Sequence, residues 1–340
     1  MAVEMSSAAS ARGSLGADVL DSIPMNETGF PLERPHVAAL DAILGKPLRV
    51  LDDGLVRFVD YMGSDESIVQ AARVSYGAGT KRINEDRGLI RYLMRHRHTT
   101  PFEMCEIKLH VRVPMDCWRQ WIRHRTASVN EYSTRYSVAI DAAQKTAPGE
   151  WRIQSKKNKQ GSEEYLDPAR GAALSAKEAD LHELARKIYE ERLAEGVSRE
   201  QARKDLPLST YTEAYWKTNL YNLLHFLRLR MDAHAQEEIR AYADTIGREV
   251  VSRWCPITWE AFLDYSMNAL ELSATEWKVI AALTASDSGE AVEIAKSAGM
   301  LNMVDGRIAK NRERDELEAK LLQLNLPVPW AQGVVNERES

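Results

Sequence analysis

The chain has 340 residues, 44% hydrophobic and 28% charged, a composition typical of a soluble globular protein that excludes disorder for most of its length. Lysine and arginine number 45 against 50 aspartates and glutamates, so a net charge of −5 gives no overall attraction to nucleic acid or anionic membrane. We find no apolar run approaching the roughly 20 residues of a membrane helix and no secretory signal. Three scattered cysteines predict a reducing, cytoplasmic setting.

The first elements follow a weakly patterned opening. Small residues and weak periodicity predict that residues 1–48 form an N-terminal extension, with order beginning near Leu51. Alternation predicts a strand over residues 55–62, and helical spacing of apolar residues follows from Asp65 to about residue 77. A second helix is predicted over residues 85–97.

The clearest pattern covers residues 105–113, where Cys, Ile, Leu, Val and Val at odd positions alternate with Glu, Lys, His and Arg. This period of two predicts a strand with one buried face and one polar face. Pro114 is expected to close the strand and open a helix, in which Trp118 and Trp121 recur at helical spacing up to about Arg125.

A surface insertion is predicted over about residues 141–175, which are rich in Lys, Gln, Gly and Ser. Helices are expected to resume near Ser175 and to dominate the rest of the chain. Two long helical segments are predicted over residues 216–230 and 234–254, with a short Met-Asp-Ala break between them.

Capping-box spacing marks Ser198 and Ser273 as helix starts. The tail over residues 269–340 is amphipathic and rich in charges, notably over 307–324, and predicts a small helical extension.

Residues 123–136, RHRTASVNEYSTRY, carry most of the polar chemistry of the sequence. Only Ala127 and Val129 are apolar, so the segment cannot be core, although the tryptophan-containing helix before it anchors its start. Guanidinium groups bind phosphate and carboxylate oxygens, and hydroxyls and amides add donors for anionic or heterocyclic ligands. A solvated basic turn with internal ion pairs is the alternative.

The same residues carry a resemblance to a known family. Residues 123–135 fill every fixed position of RHRxxSxNExSxR, which resembles the signature of the flavin-dependent thymidylate synthases. Three further blocks are similar to that family's segments and occur in its order: AARVS at 71–75, HTTPFE at 98–103 and FLRLRMDAHAQEEI at 226–239. The resemblance spans roughly residues 51–265 and excludes the extension, the insertion and the tail.

The resemblance implies methylation of dUMP to dTMP, with the one-carbon unit from 5,10-methylenetetrahydrofolate and the hydride from NADPH by way of FAD. It implies an α+β fold, with long helices packed on an antiparallel sheet, and a homotetramer with shared active sites. The implied organisation is an N-terminal extension (1–48), a catalytic domain (49–268, with the insertion at 141–175) and a helical C-terminal extension (269–340). Neither nucleic acid nor membrane is an implied partner.

By position in the family's motifs, two sets of site residues are expected. The dUMP set is Gln120, Trp121, Ile122, Arg123, Glu131, Tyr132, Ser133, Thr134, Arg135, Arg203 and Arg230. The FAD set is Ser75, His98, Thr100, Arg123, His124, Arg125, Asn130, Glu131, Asn219, Tyr221 and His225. At Tyr221 and His225 some members of the family have Arg and Asn instead.

Addition of a one-carbon unit at uracil C5 requires an electron-rich ring. A cysteine thiolate attacking C6 is one route, but Cys105, Cys117 and Cys255 all look like buried, inert thiols. Ionisation at N3 beside a fixed guanidinium is the other route. We assign this catalytic role to Arg230, and Asp232 is near enough in sequence to help orient it. The alternative is that Arg230 only interacts with the dipole of the helix that it ends.

Other chemistries fit the sequence less well. The hydroxyl of Ser133 lacks an evident base partner, so we expect it to position substrate rather than attack it. The histidines at 96, 98, 110 and 124 do not have the spacing of a zinc site, and no metal is expected. The leading non-enzyme alternative is a nucleic-acid-binding module that uses residues 123–136, although the acidic net charge disfavours it.

Overall fold

The computed structural model describes residues 35–74, 83–155, 161–304 and 307–331, so the predicted helix end near residue 77 lies outside them. The chain divides into two compact units, Met1–Phe262 and Leu263–Ser340. No helix within the described ranges is both long and apolar enough to cross a membrane.

The first unit mixes helices and strands. In chain order it contains α1 (Ala38–Asp41), β1 (Pro47–Val50), β2 (Gly54–Met62), α2 (Asp65–Arg73), α3 (Ile83–Arg95), α4 (Thr100–Glu103), β3 (Glu106–Pro114), α5 (Met115–Trp121), β4 (Ser128–Glu131), β5 (Arg152–Gln154), β6 (Ser162–Tyr165), α6 (Pro168–Ala194), α7 (Arg199–Ala202), a 3₁₀ turn (Arg203–Asp205), β7 (Tyr211–Asn219), α8 (Leu220–Arg230), α9 (Glu237–Thr245), a π-helical stretch (Ile246–Val251), α10 (Ser252–Trp254) and α11 (Pro256–Phe262).

Five strands form one antiparallel sheet in the order β1-β2-β3-β7-β4. The central strand β3 has the predicted alternation, with Ile107, Leu109 and Val111 buried and the polar residues between them partly exposed. The strand prediction for residues 105–113 is therefore confirmed. Pro114 ends β3 and directly precedes α5, also as predicted.

The helix predicted over residues 216–230 is wrong in its first part. Residues Tyr211–Asn219 form β7, which pairs with β3 on one side and with β4 on the other. Alternating burial places Ala214, Trp216 and Thr218 in the core. Pairing with two neighbouring strands decides this segment, and the helix starts at Leu220, where the Asn219 side chain accepts a hydrogen bond from the backbone N–H of Asn222.

Three other boundaries differ from the predictions. Order begins before Leu51, because β1 pairs antiparallel with β2 and α1 precedes it. The insertion contains a hairpin of β5 and β6, and the following helix α6 starts at Pro168 rather than near Ser175. The segment predicted as helical over 234–254 begins as helix only at α9, after a turn.

An aromatic cluster joins α5, β7, α8 and α9. The fully buried Trp121 ring lies with its centroid 5.3 Å from that of Trp216, 4.8 Å from Phe226 and 5.9 Å from Tyr242. Large buried rings contribute strongly to core stability. Because Trp121 is the last residue of α5, this cluster fixes the point where the chain leaves the core and enters the polar segment.

The second unit has its own core. It contains a π-helical turn (Leu263–Met267), α12 (Ala274–Thr284), α13 (Ser288–Ser297), a hairpin of β8 (Met303–Val304) and β9 (Arg307–Ile308), and α14 (Arg312–Gln323). Buried residues of all three helices form one hydrophobic cluster. The predicted capping box at Ser273 is confirmed, whereas Ser198 makes no capping hydrogen bond with its side chain.

Candidate active site

The polar segment 123–136 runs across the surface of the first unit. Its middle part is the edge strand β4, whose four residues Ser128–Glu131 are all exposed. Ile122 before it is also exposed, whereas the Trp121 indole lies in the core. The segment therefore presents its polar groups outward from a firmly anchored start.

Arg230, the last residue of α8, is held by two partners on the chain that follows α5. Its Nε donates to His124 Nε2 at 3.1 Å, and its Nη2 donates to the backbone oxygen of Gln120 at 3.3 Å. Asp232 does not orient it as expected, because its carboxylate accepts hydrogen bonds from the backbone N–H and ring Nδ1 of His234, each at 2.8 Å.

His124 is neutral in this arrangement. Burial first, and then the electrostatic interactions with Arg230 and His225, lower its pKa to about 4. A neutral ring that accepts at Nε2 carries its proton on Nδ1. The ring packs edge-on against Phe226, with centroids 5.0 Å apart, so His124 is a fixed acceptor for Arg230 and a donor on its other side.

Positive charge gathers around this pair. Arg123 and Arg125 are both exposed, and neither guanidinium has a hydrogen-bond or ion-pair partner among the residues that the structure describes. Burial and then the charge of Arg123 lower the pKa of Arg230, which places the two guanidinium groups close enough to repel each other. An anion bound here would relieve that repulsion.

A second group lies where the chain leaves β4. Arg203 Nη1 donates to Thr134 Oγ1 at 2.5 Å, and Arg135 forms an exposed ion pair with Glu200 at 3.3 Å. Glu131 accepts a hydrogen bond from the Thr212 hydroxyl at 2.9 Å. The structure thus brings together Arg203 and the turn 132–135, which are far apart in sequence.

Within this turn, Tyr132 donates its hydroxyl to the backbone oxygen of Val138 at 2.8 Å, and Ser133 Oγ accepts the backbone N–H of Arg135 at 3.4 Å. Among the described residues, no His, Asp or Glu side chain is hydrogen-bonded to the Ser133 hydroxyl. That environment suits a positioning group better than a nucleophile.

A third group surrounds the beginning of α8. His98 follows Arg97, which has a left-handed backbone (φ 56°) that ends α3, and its ring stacks on Tyr92 with centroids 5.8 Å apart. Thr100 begins the short helix α4, which packs against α8. Tyr221, in the first turn of α8, is 41% exposed, and Ser75 lies outside the described residues.

The group around Arg230 and the group around the beginning of α8 lie apart in the described part of the chain. Asn219 and Arg230 lie at opposite ends of α8, about 16.5 Å apart at the rise of an α-helix. Asn130 lies opposite Tyr215 in the sheet, and His225 lies beside His124 with ring centroids 5.9 Å apart. A cavity of about 890 Å³ is lined by Asp52, His182, Glu183 and their neighbours rather than by motif residues.

Two residues absent from the predicted sets support Arg230. The Gln236 amide donates to Asp116 Oδ2 at 3.1 Å and accepts from the Gln120 amide. Gln120 in turn holds Arg230 through its backbone oxygen. Gln236 lies in the HAQ part of the matched block, so the sequence did contain a signal for it, whereas Asp116 had none.

The three cysteines are free and buried, as expected. Burial raises the pKa of Cys117, with the nearby Asp116 charge adding to it, and burial raises the pKa of Cys255 well above its ordinary value. These two thiols therefore stay protonated, and a thiolate route finds no support in them.

The side chains present fit FAD. Unpaired guanidinium groups at Arg123 and Arg125 suit a diphosphate, and the Nδ1–H of a neutral His124 suits an oxygen or ring nitrogen acceptor. Exposed rings at Tyr92, His98 and Tyr221 offer flat surfaces for a heterocycle. Within the described ranges, no carboxylate is ion-paired with the guanidinium of Arg123 or Arg125.

Comparisons with known proteins agree with this chemistry. A sequence model of the family described as thymidylate synthase complementing protein matches residues 57–257. The flavin-dependent thymidylate synthase of Wolbachia pipientis wMel is 49% identical over 256 residues, covering 75% of this chain and 89% of that protein. The enzyme of the same name from Gluconobacter oxydans is 51% identical over 251 residues, covering 73% and 82%.

A solved structure has the same fold. The UMP/dUMP methylase PolB from Streptomyces cacaoi, bound with 5-Br dUMP, superposes with a TM-score of 0.58 and 32% sequence identity. The match covers 64% of this chain and 98% of that one.

The fold, the guanidinium-rich surface and these relatives together indicate an enzyme that modifies a nucleotide, and the resemblance seen in the sequence is confirmed. The chain belongs to the flavin-dependent thymidylate synthase family. The predicted α+β fold class is confirmed as well. FAD, NADPH and 5,10-methylenetetrahydrofolate are the cofactors and co-substrates of this family, whose members are methyltransferases.

Proposed function

We propose that this protein methylates dUMP to dTMP, taking the one-carbon unit from 5,10-methylenetetrahydrofolate and reducing power from NADPH through FAD. The observation that carries the proposal is Arg230, held between His124 and Gln120 and close to Arg123, whose guanidinium has no ion-pair partner among the described residues. Family membership favours this enzyme over the nucleic-acid-binding alternative.

In this reaction Arg230 stabilises negative charge on the pyrimidine. When N3 of dUMP loses its proton, charge spreads into the ring and makes C5 nucleophilic, and a guanidinium already fixed at that edge favours the charged state without reorganising. His124 keeps Arg230 in place by accepting from Nε, and its neutrality leaves the site one positive charge fewer.

The remaining residues bind and orient. Arg135 and Arg203, with Ser133 and Thr134, hold the phosphate of dUMP, and Gln120, Ile122, Glu131 and Tyr132 complete its surroundings. Trp121 supports this group from the core. FAD supplies the hydride relay when bound, and we assign its binding to the motif residues Ser75, His98, Thr100, Arg123, His124, Arg125, Asn130, Glu131, Asn219, Tyr221 and His225.

The functional unit is a homotetramer in which each site combines residues of more than one subunit. Exposure of β4 and the separation of the site groups along α8 support this arrangement. The catalytic domain spans residues 49–268 with its insertion at 141–175, and the extensions at 1–48 and 269–340 flank it. Three free, buried cysteines support a cytoplasmic location.

The test is release of tritium from C5-labelled dUMP by the purified protein, with FAD, NADPH and methylenetetrahydrofolate omitted in turn. We expect a yellow protein that bleaches with NADPH, and dTMP only when all components are present. A colourless protein that binds neither FAD nor dUMP contradicts the proposal. Salt-sensitive binding of nucleic acid by that protein would support the alternative instead.

A further inference from the structure

The hairpin of the insertion is attached to the beginning of α9 by one arginine. Arg152 Nη1 donates to Glu237 Oε2 at 2.9 Å, and Nη2 donates to Glu238 Oε1 at 2.5 Å. Tyr165 is the cross-strand partner of Arg152 and donates its hydroxyl to the same Glu237 carboxylate at 3.2 Å. Two strands of the hairpin therefore hold two successive carboxylates of one helix.

Arg152 pairs with two carboxylates that differ in their exposure to water: the side chain of Glu237 is 44% exposed and that of Glu238 is 15% exposed. The side chain of Arg152 is 23% exposed. Asp116, Glu238 and Arg152 all lie near enough to the buried thiol of Cys117 to affect its pKa. One oxygen of Glu238, Oε2, is buried without a hydrogen-bond partner among the described residues. Removing the guanidinium would leave the Glu238 carboxylate without this cation at low solvent exposure, which is costly.

The protonation behaviour agrees with this geometry. Burial by itself lowers the pKa of Arg152, but its hydrogen bonds and charge interactions with Glu237 and Glu238 raise it above its ordinary value. The hydrogen bond from Arg152 is the main reason why the pKa of Glu237 is lowered. Both partners therefore remain charged, and the contact persists across the neutral range.

From this contact, hydrogen bonds together with covalently joined residues lead to Arg230. Glu237 directly follows Gln236, whose amide bridges Asp116 and the Gln120 side chain of α5. The backbone oxygen of Gln120 accepts Arg230 Nη2. A short turn, residues 231–236, joins Arg230 at the end of α8 to Glu237 at the start of α9. Arg152 therefore holds one end of this turn, and Arg230 lies at its other end.

We propose that Arg152, which lies in the insertion outside the matched motifs, is a positioning residue for dUMP. Its hydrogen bonds to Glu237 and Glu238 keep Gln236 in contact with Gln120, and this contact keeps Gln120 and Arg230 in the positions that bind the nucleotide. The proposal rests on the function proposed above. Arg152 touches neither nucleotide nor flavin in this role, so its loss affects dUMP binding and leaves the reduction of FAD by NADPH unchanged.

The experiment compares three variants with the wild-type enzyme. Arg152→Met removes the charge but keeps an unbranched side chain, and Arg152→Lys keeps the charge but carries it on one nitrogen, without the planar fork that directs separate donors at Glu237 and Glu238. Arg314→Met is the matched control, because Arg314 is 13% exposed and paired with Asp315 and Glu318 but lies outside residues 57–257, which match the family model. FAD content, thermal stability, FAD reduction by NADPH and KM for dUMP are measured for each.

We expect the KM for dUMP to rise about tenfold in Arg152→Met and about threefold in Arg152→Lys, the changes expected for partial loss of a binding geometry. FAD content and the rate of FAD reduction stay at the wild-type value. Arg314→Met should lose thermal stability with no change in KM.

Several results would overturn the proposal. One is a KM for dUMP in Arg152→Met that equals the KM of Arg314→Met. Another is a fall in FAD content that accompanies the rise in KM for dUMP, because it indicates a general loosening of the fold. Should Arg152→Met fail to fold, an unchanged KM in Arg152→Lys decides against it. A wild-type enzyme that makes no dTMP contradicts the proposed function itself, which keeps the two failures distinguishable.

Discussion

Arg230 shows how the surroundings of one residue decide between a structural and a chemical role. An arginine at the end of a helix commonly interacts with the carbonyl groups of its own last turn. Here it donates across to Gln120 and His124 instead, in a site with other positive charges. A partly buried guanidinium near other positive charges lowers the stability of the folded protein, but it favours binding of an anion that develops during the reaction.

Replacing Arg230 by Ala is expected to leave FAD content unchanged and to lower kcat by about 10²–10³, the usual effect of removing one preorganised donor. Absorbance of the bound flavin and steady-state dTMP formation measure the two effects. Arg228→Ala, two residues earlier on the same helix, is the control. Near-normal turnover in Arg230→Ala would remove this residue from the mechanism.

His124 gives a prediction about pH. Its pKa in the folded protein is about 4, below the ordinary 6.5, so its contribution to stability is complete above pH 6.5 and is lost as the pH falls towards 4. NMR titration of the imidazole should show the low midpoint. In Arg230→Met the midpoint should move upwards, since one neighbouring positive charge is gone, and a wild-type midpoint near 6.5 would contradict the buried, neutral ring.

At the scale of elements, β7 and α8 meet at a residue with two roles. Asn219 is the last residue of β7, the N-cap of α8 and a proposed contact of FAD. Its side-chain oxygen accepts the backbone N–H of Asn222 at 2.9 Å. The cap needs only the side-chain oxygen, whereas a contact with FAD would use the amide group. Substitutions at Asn219 can therefore separate the two roles.

Asn219→Ala should lower the free energy of unfolding by about 1 kcal/mol, whereas Asn219→Asp keeps the capping oxygen and should keep the stability. Both variants should bind FAD more weakly if the amide contacts the cofactor. Chemical denaturation and flavin titration give the two quantities. Equal destabilisation by Asp and Ala would argue against the cap.

At the scale of the whole molecule, the site residues are distributed rather than enclosed. The group around Arg230 and the group around Arg135 and Arg203 have separate hydrogen-bond partners within one chain. Exposed polar residues of this kind bind a nucleotide tightly only when another surface covers them and excludes water. A second subunit supplies such a surface in the proposed homotetramer.

Mixing two inactive variants tests that arrangement. Arg135→Ala and Arg230→Ala should each be inactive alone, but tetramers assembled from both chains should regain up to about a quarter of the activity, because some sites then combine Arg135 of one subunit with Arg230 of another. Turnover after co-expression is the measurement. No recovery in mixed tetramers of confirmed composition would place both residues in the same chain's site.

The sequence predicted much of the fold correctly where the signal was local. The alternation over residues 105–113 gave β3, and Pro114 marked the start of α5, because both patterns report which neighbours a residue has along the chain. The same local reasoning failed at β7, where aromatic and apolar residues also fitted a helical period. Pairing with β3 and β4, which no local pattern reports, decides that segment.

By itself the sequence determined the family, the identity of the motif residues and the burial of the cysteines, since these depend on residue type and order. Only the tertiary structure decided that His124 and Gln120 hold Arg230, that Arg203 meets Thr134, and that Arg152 reaches α9. These contacts join residues between 69 and 110 positions apart in the sequence. Such distances close only when the sheet and the aromatic core place α5, α8 and α9 side by side.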